Sequence, residues 1–291
     1  MKILPLLIIL VLIFSCNSDN QKPRSRNEPN PIPLTEDTIS PLLINKRDSV
    51  FDRIKRSNKS IRIESIESRK TNDLIIEKHL AKINSRYELD FTYPYLNEEI
   101  NHSYGGFNEF IFNNYVNVKR ISNQIIKDSE LPYETLRSNK KLPEKRIVNY
   151  SIYNAKDDLL SLVMYKENYY SGAVSSTYSF VGLNFNLEQS CFLDYDDFFV
   201  RNSEEEMLKK INEVISRKIK EGIMYYDCWE VSDYDFQRYK NNFVINDNSV
   251  EYFFDDCIIC PAYTGIYSVE ISTWELKEIL RANSVFEQHF L

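Results

Sequence analysis

The chain has 291 residues, with 36 basic and 43 acidic side chains and a formal net charge of −7. An acidic chain without a basic stripe excludes nucleic acid as a partner. Six glycines against 20 tyrosines and 17 phenylalanines argue against a Gly-rich nucleotide site and for strands with aromatic cross-strand packing.

The N-terminus reads as an address. Lys2 precedes an apolar run from Ile3 to Phe14, too short for a bilayer-spanning helix, which needs about 20 apolar residues, and suited to a signal-peptide core. The run ends in Ile13-Phe14-Ser15-Cys16, which resembles the lipobox of bacterial lipoproteins and implies acylation of the Cys16 thiol and removal of residues 1–15. Only Lys2 is lost with that segment, so 35 basic against 43 acidic residues leave −8. Residues 16–58 are polar and proline-rich and predict a disordered tether, because they bury too little apolar surface to offset chain entropy. Asn17 follows the cysteine, and Ser18-Asp19-Asn20 is similar to the acidic export tags of Bacteroidetes lipoproteins. The expected location is the cell envelope, lipid-anchored to the outer membrane on its periplasmic or outer face.

Alternation predicts strands over 60–70 and 85–96. Ile111, Tyr115, Val118, Ile121 and Ile125 recur at helical spacing and predict one long helix over 107–128. Two strands about the polar turn Asn154–Asp158 fill 145–170, and another strand spans 175–188. Ser203 and Glu206 read as a capping box opening a helix over 203–222, with Leu208, Ile211, Ile215 and Ile219 on its buried face and Gly222 as its stop. A hairpin follows over 243–254, turning at Asn246–Ser249. The last strand, 265–273, leads into a helix over 274–283 capped by Ser272 and Glu275. Strands outnumber helices and come in runs, so the fold class is α+β with mostly antiparallel sheet.

Chemistry-bearing residues are sparse. His79, His102 and His289 are scattered without HxxxH or HxH spacing, which points to no metal centre. Nucleotide and dinucleotide loops and the G-x-S-x-G nucleophile motif are missing, so no cofactor is expected. Asp194, Asp196 and Asp197 suit a loop rim that caps the next element. The alternative is an envelope hydrolase or deacetylase built from Asp196, Asp197 and His102, or else an accessory subunit of an envelope complex. Tyr165, Tyr169, Tyr170, Tyr178, Trp229 and Tyr263 are either cross-strand packing or anchors of a binding surface, and Tyr170, Trp229 and Tyr263 are the candidates for that surface.

The second half, from "YYSGAVSSTYSFVGLNFNLEQSCFLDYDDFF" through "FVINDNSVEYFF" to "AYTGIYSVEISTWELKEIL", resembles the extracellular domain of unknown function found in the anti-sigma factor RsiV and in the non-catalytic part of the polysaccharide deacetylase PdaC. The resemblance rests on Ser171-Gly172-Ala173-Val174, Tyr195–Phe199, Phe243 and Ala262-Tyr263-Thr264-Gly265. Val174 stands where that family usually has histidine. The preceding region looks like the family's usual partner domain, which gives expected domains at 59–170 and 171–291. The resemblance implies a non-catalytic, extracytoplasmic domain that binds a lysozyme-like protein or an envelope glycan.

In an exported chain, Cys191, Cys228, Cys257 and Cys260 lie in an oxidising compartment, and with Cys16 acylated their number is even. Disulfides are therefore expected. The favoured pairing is Cys257–Cys260 across the CxxC loop with Cys191–Cys228, against the two crossed alternatives.

Overall fold

The computed structural model describes residues 73–129, 143–156, 158–171, 176–255, 257–261, 264 and 267–281. The expected leader, tether and strand at 60–70 lie outside these residues, as do Cys16, Val174, Tyr263 and His289.

Six strands build the first sheet: β1 (Ile75–Ile83), β2 (Tyr87–Leu96), β3 (Glu144–Lys156), β4 (Leu159–Tyr169), β5 (Thr177–Asn186) and β6 (Cys191–Leu193), in spatial order as in sequence. Neighbours run antiparallel except β2 and β3, which are parallel. A parallel pair needs a long crossover, and here part of it is helical: a 3-10 turn (His102–Tyr104), α1 (Gly105–Ile111), a π turn (Phe112–Val116) and α2 (Val118–Ser129). These helices cover one face of the sheet, where Phe107, Ile111, Tyr115 and Ile125 share a core with Leu89, Phe91, Leu162 and Met164.

The single helix expected over 107–128 is therefore interrupted. Asn117 leaves the helical region with ψ 88°, and its Oδ1 accepts the Arg120 N–H at 3.0 Å, restarting the helix as an N-cap does. The π turn also brings Val116 into the core beside Tyr115.

The second sheet holds β7 (Phe243–Ile245), β8 (Ser249–Phe253) and β9 (Ser268–Ser272), all antiparallel. It lies on the other face of the first sheet, where Val244 and Phe253 pack with Val163, Tyr165 and Phe180. The contact is close and partly polar. The edge of β7 finds its hydrogen bonds in side chains of the first sheet: Ser161 Oγ accepts the Ile245 N–H at 2.7 Å, and Asn184 Nδ2 donates to the Phe243 carbonyl at 3.0 Å. Asn242, just before β7, accepts from the Gly182 N–H and donates to the carbonyls of Phe180 and Phe253. Buried Ser161 and Asn184 thus do for β7 what a neighbouring strand would do, and half-buried Asn242 ties the two sheets together beside them.

A helix layer closes the far side. Met207, Ile211, Val214 and Ile215 of α4 (Glu204–Lys220; the four-residue α3, Tyr195–Phe198, precedes it) pack with Ile245, Val250, Tyr252, Val269 and Ile271. The order of layers is helix, sheet, sheet, helix, and the class is α+β as expected. The boundary expected at 170/171 falls between β4 and β5, which pair from Leu159↔Asn186 to Asn168↔Thr177, so the first sheet runs across it.

Two local expectations need correction. Ser203 precedes α4 but makes no side-chain cap. Its Oγ lies 2.8 Å from the buried Tyr195 hydroxyl, and Glu206 faces Lys210 at 3.4 Å instead. A buried phenol needs a partner more than an exposed helix start does. The terminal helix is also shorter than 274–283. The Ser272–Glu275 capping box is present, but α6 covers only Thr273–Leu276. Beyond it, Leu280 is drawn into a β-bridge with Phe199, and the Arg281 N–H bonds the Phe198 carbonyl at 2.8 Å.

Candidate binding surface

Among the described residues, the stretch after α4 groups several large, exposed side chains on a braced backbone, while Trp274, 73 % exposed, stands alone on the capped α6. Gly222, at φ +71°, ends the helix in a Schellman arrangement: the Gly222 N–H bonds the Ile219 carbonyl at 3.1 Å and the Ile223 N–H bonds the Lys218 carbonyl at 2.9 Å. Only a residue without a Cβ takes that left-handed conformation at little cost. The chain then alternates inward anchors with outward rings. Met224, Cys228, Val231 and Phe236 are buried, whereas Tyr226 is 72 % exposed, Trp229 44 % and Tyr234 71 %.

Four ties fix this loop. Cys228 and Cys260 form a disulfide, with Cα atoms 4.1 Å apart. The Trp229 N–H donates to the Ile259 carbonyl at 2.8 Å. Asn212 of α4 bonds both backbone groups of Val231, donating to its carbonyl at 3.0 Å and accepting its N–H at 2.8 Å. Ser232 caps α5 (Asp233–Tyr239) through the Asp235 N–H. Between the loop and α4 runs an open groove of about 610 Å³, lined by polar residues including Asn212, Glu213, Ser216, Arg217 and Glu230.

The disulfide corrects the favoured pairing. Cys260 bonds Cys228, not Cys257, and Cys228 is not joined to Cys191. Proximity in sequence misled, because Cys260 turns into the second core with Cys228 and Ile259, while Cys257 sits at the turn with φ +67°. Cys191 lies exposed at the start of β6.

The candidate aromatics separate. Trp229 belongs to the braced loop. Tyr170 follows β4 at the end of the first sheet, its ring 4.4 Å from the Arg146 guanidinium. Arg146 is itself buried against Glu144. Tyr165 is a core residue whose hydroxyl donates to the buried Glu167 carboxylate at 2.7 Å. Sequence reasoning missed Tyr226 and Tyr234, although the density of rings in "YYDCWEVSDYD" next to a helix stop was available as a signal.

The aspartates serve local structure. Asp194 N-caps α3, and Asp197 closes the capping box by accepting the Asp194 N–H at 2.8 Å. The Asp196 carbonyl accepts from Arg281 at 2.9 Å. His102 opens the 3-10 turn whose Tyr104 belongs to the first sheet's helix-covered core, and His79 Nε2 meets Asp90 at 2.9 Å with both side chains exposed. Among the described residues, no group of three or more His, Cys, Asp or Glu is placed to hold a metal ion, and no helix is long and apolar enough to cross a membrane.

The chain matches no protein-family model and no curated protein. Solved structures do resemble it. One is the crystal structure of a DUF3298 family member from Bacteroides fragilis, with a TM-score of 0.54 and 11 % identity over 76 % of this chain and 99 % of that one. Another is a DUF3298 family protein from Pseudomonas aeruginosa, with a TM-score of 0.52 and 13 % identity over 73 % of this chain and 96 % of that one. The likeness is one of fold, and it covers nearly the whole of both solved chains.

Proposed function

We propose that this protein is a lipid-anchored, extracytoplasmic binding module of the RsiV/PdaC type, without catalytic activity, whose folded part recognises a protein or glycan of the cell envelope. The observation that carries the reading is the Cys228–Cys260 disulfide. Both cysteines are buried in the second core, so the bond forms as the protein folds, and such bonds persist in exported proteins rather than in a reducing cytosol. The lipobox-like Ile13–Cys16 and the polar stretch after it supply the anchor and the reach. The braced aromatic loop supplies a surface for a partner, since rigid exposed rings are effective anchors. The fold likeness to DUF3298 proteins is consistent with this reading.

The test is lipidation. Cells given a clickable fatty acid are expected to label the native chain, which then enters the detergent phase on Triton X-114 partition. Cys16→Ala is expected to lose both label and partition, because one acyl chain anchors only marginally and two or more hold stably. Unchanged partition of Cys16→Ala, or reduced Cys228 and Cys260 in protein taken from cells, would defeat the proposal.

A further inference from the structure

Each outward ring of the braced loop is followed in sequence by a carboxylate: Tyr226-Asp227, Trp229-Glu230 and Tyr234-Asp235. Asp227 and Glu230 are exposed and Asp235 is half-buried. From Tyr225 to Asp235 there are four acidic residues, Asp233 being the fourth, and no basic one. The loop backbone is held by the disulfide, the Asn212 clamp and the α5 cap, so the points from which the rings project are set before any partner arrives.

We propose that this surface binds a neutral, hydroxyl-rich polysaccharide chain, an inference that rests on the envelope-binding reading above and names the class of partner. A pyranose ring has a face of C–H bonds whose hydrogens carry partial positive charge, which suits the negative face of an aromatic ring. Its equatorial hydroxyls are donors, and a carboxylate accepts them in charge-assisted bonds; Glu230 and Asp235 each already accept a serine hydroxyl, from Ser216 at 3.4 Å and from Ser232 at 2.6 Å. Exposed rings interleaved in sequence with carboxylates therefore offer both kinds of contact that a sugar chain makes. An amphipathic helix needs an apolar groove, whereas the groove beside this loop is polar and carries no net charge, with Lys209, Arg217 and Lys220 against Glu213, Glu221 and Glu230, a lining that suits neutral hydroxyl-rich chains. Preorganisation lowers the ordering cost of binding, so a few stacked rings suffice for a measurable affinity.

The test uses the full chain in detergent micelles, titrated with neutral hexasaccharides of glucose and of N-acetylglucosamine while tryptophan fluorescence and calorimetry are followed. Saturable binding of at least one hexasaccharide, insensitive to added salt, is expected, since neither sugar carries charge. Trp229→Ala is expected to weaken it by about tenfold or more, with the Cys228–Cys260 bond retained in a non-reducing peptide map as evidence of folding. Phe112→Ala, an exposed ring on the helical layer of the first sheet, is expected to bind like the native chain. No binding of either sugar, or equal binding by Trp229→Ala, overturns the proposal. So does salt-sensitive capture of a cationic protein by the same rings, which would make the surface a protein site. Lipidation and detergent partition are read without any sugar, so a negative result here leaves the anchoring proposal to its own test.

Discussion

Replacing Gly182 with alanine tests the closeness of the two sheets, on which the whole arrangement depends. In an isolated strand the change is favourable, because glycine in a strand interior costs about 0.5–1 kcal/mol relative to alanine. At this position the new Cβ would collide with the Phe243 carbonyl oxygen and stand 2.7 Å from the Phe243 carbonyl carbon and 2.9 Å from its nitrogen. All three atoms are backbone, so no side chain can swing away, and β7 itself must retreat. Overpacking of this kind costs typically about 1–3 kcal/mol. Retreat also stretches the Gly182–Asn242 and Asn184–Phe243 hydrogen bonds, each worth about 1 kcal/mol. The steric and hydrogen-bond terms outweigh propensity, and the net expectation is a loss of about 2–4 kcal/mol. With a urea m-value of about 3 kcal/mol/M for a domain of this size, the midpoint falls by about 1 M. Gly106→Ala is the control, since nothing lies within 4 Å of its added Cβ. In the first turn of α1 it is expected to raise the midpoint slightly. A Gly182→Ala midpoint equal to or above that of the native chain would refute the inter-sheet geometry.

Three further outcomes follow from the same structure. Cys228→Ser removes a bond between residues 32 apart in sequence and is expected to cost about 3.5 kcal/mol on the loop-entropy model, read by urea unfolding. A non-reducing peptide map that links Cys257 to Cys260 would contradict the pairing. Ser203→Ala orphans the buried Tyr195 hydroxyl and is expected to lose about 1–3 kcal/mol, part of which Tyr195→Phe restores in the double variant. Additive losses would mean the two groups are uncoupled. Burial pushes the phenols of Tyr115 and Tyr195 up to about 12, that of Tyr195 against the opposing pull of its Ser203 hydrogen bond. The unfolded chain releases these protons near pH 10 and the folded one only near pH 12. Stability is therefore unaffected below pH 10 and falls between 10 and 12, by about 1.4 kcal/mol per group per pH unit. In absorbance at 295 nm the two rings should stay un-ionised while exposed tyrosines titrate, and early ionisation in folded protein would sink the claim.

What could be read from the residues divides along the range of the interaction. Short-range signals were legible: the turn at Asn246–Ser249 closes with the Asn246 N–H on the Ser249 carbonyl at 2.9 Å, Gly222 stops α4, and Ser272 with Glu275 caps α6. The failures are places where a distant partner decides. Strand β1 escaped because its apolar residues Ile75, Ile76, Leu80 and Ile83 do not alternate. Two of its positions opposite β2 are lysines, Lys78 and Lys82, which lie over the rings of Tyr95 and Tyr87, an arrangement in which a cation and its stem replace an apolar side chain. Helix α5 has only seven residues, too few for a period to show.

The candidate surface was legible in the same partial way. Trp229 stood out as a ring, yet nothing local distinguishes its exposed ring from the buried Tyr165. The difference is set by partners 15 to 88 residues away in the chain. Tyr165 lies under Phe180, with ring centroids 5.1 Å apart, and is covered by the second sheet. Trp229 is held outward because Cys228 beside it is pulled inward by Cys260, and because Val231 is clamped by Asn212. A ring next to a half-cystine has its direction chosen by where the other half lies. The disulfide pairing and the outward direction of Trp229 on the candidate surface are, in this fold, coupled.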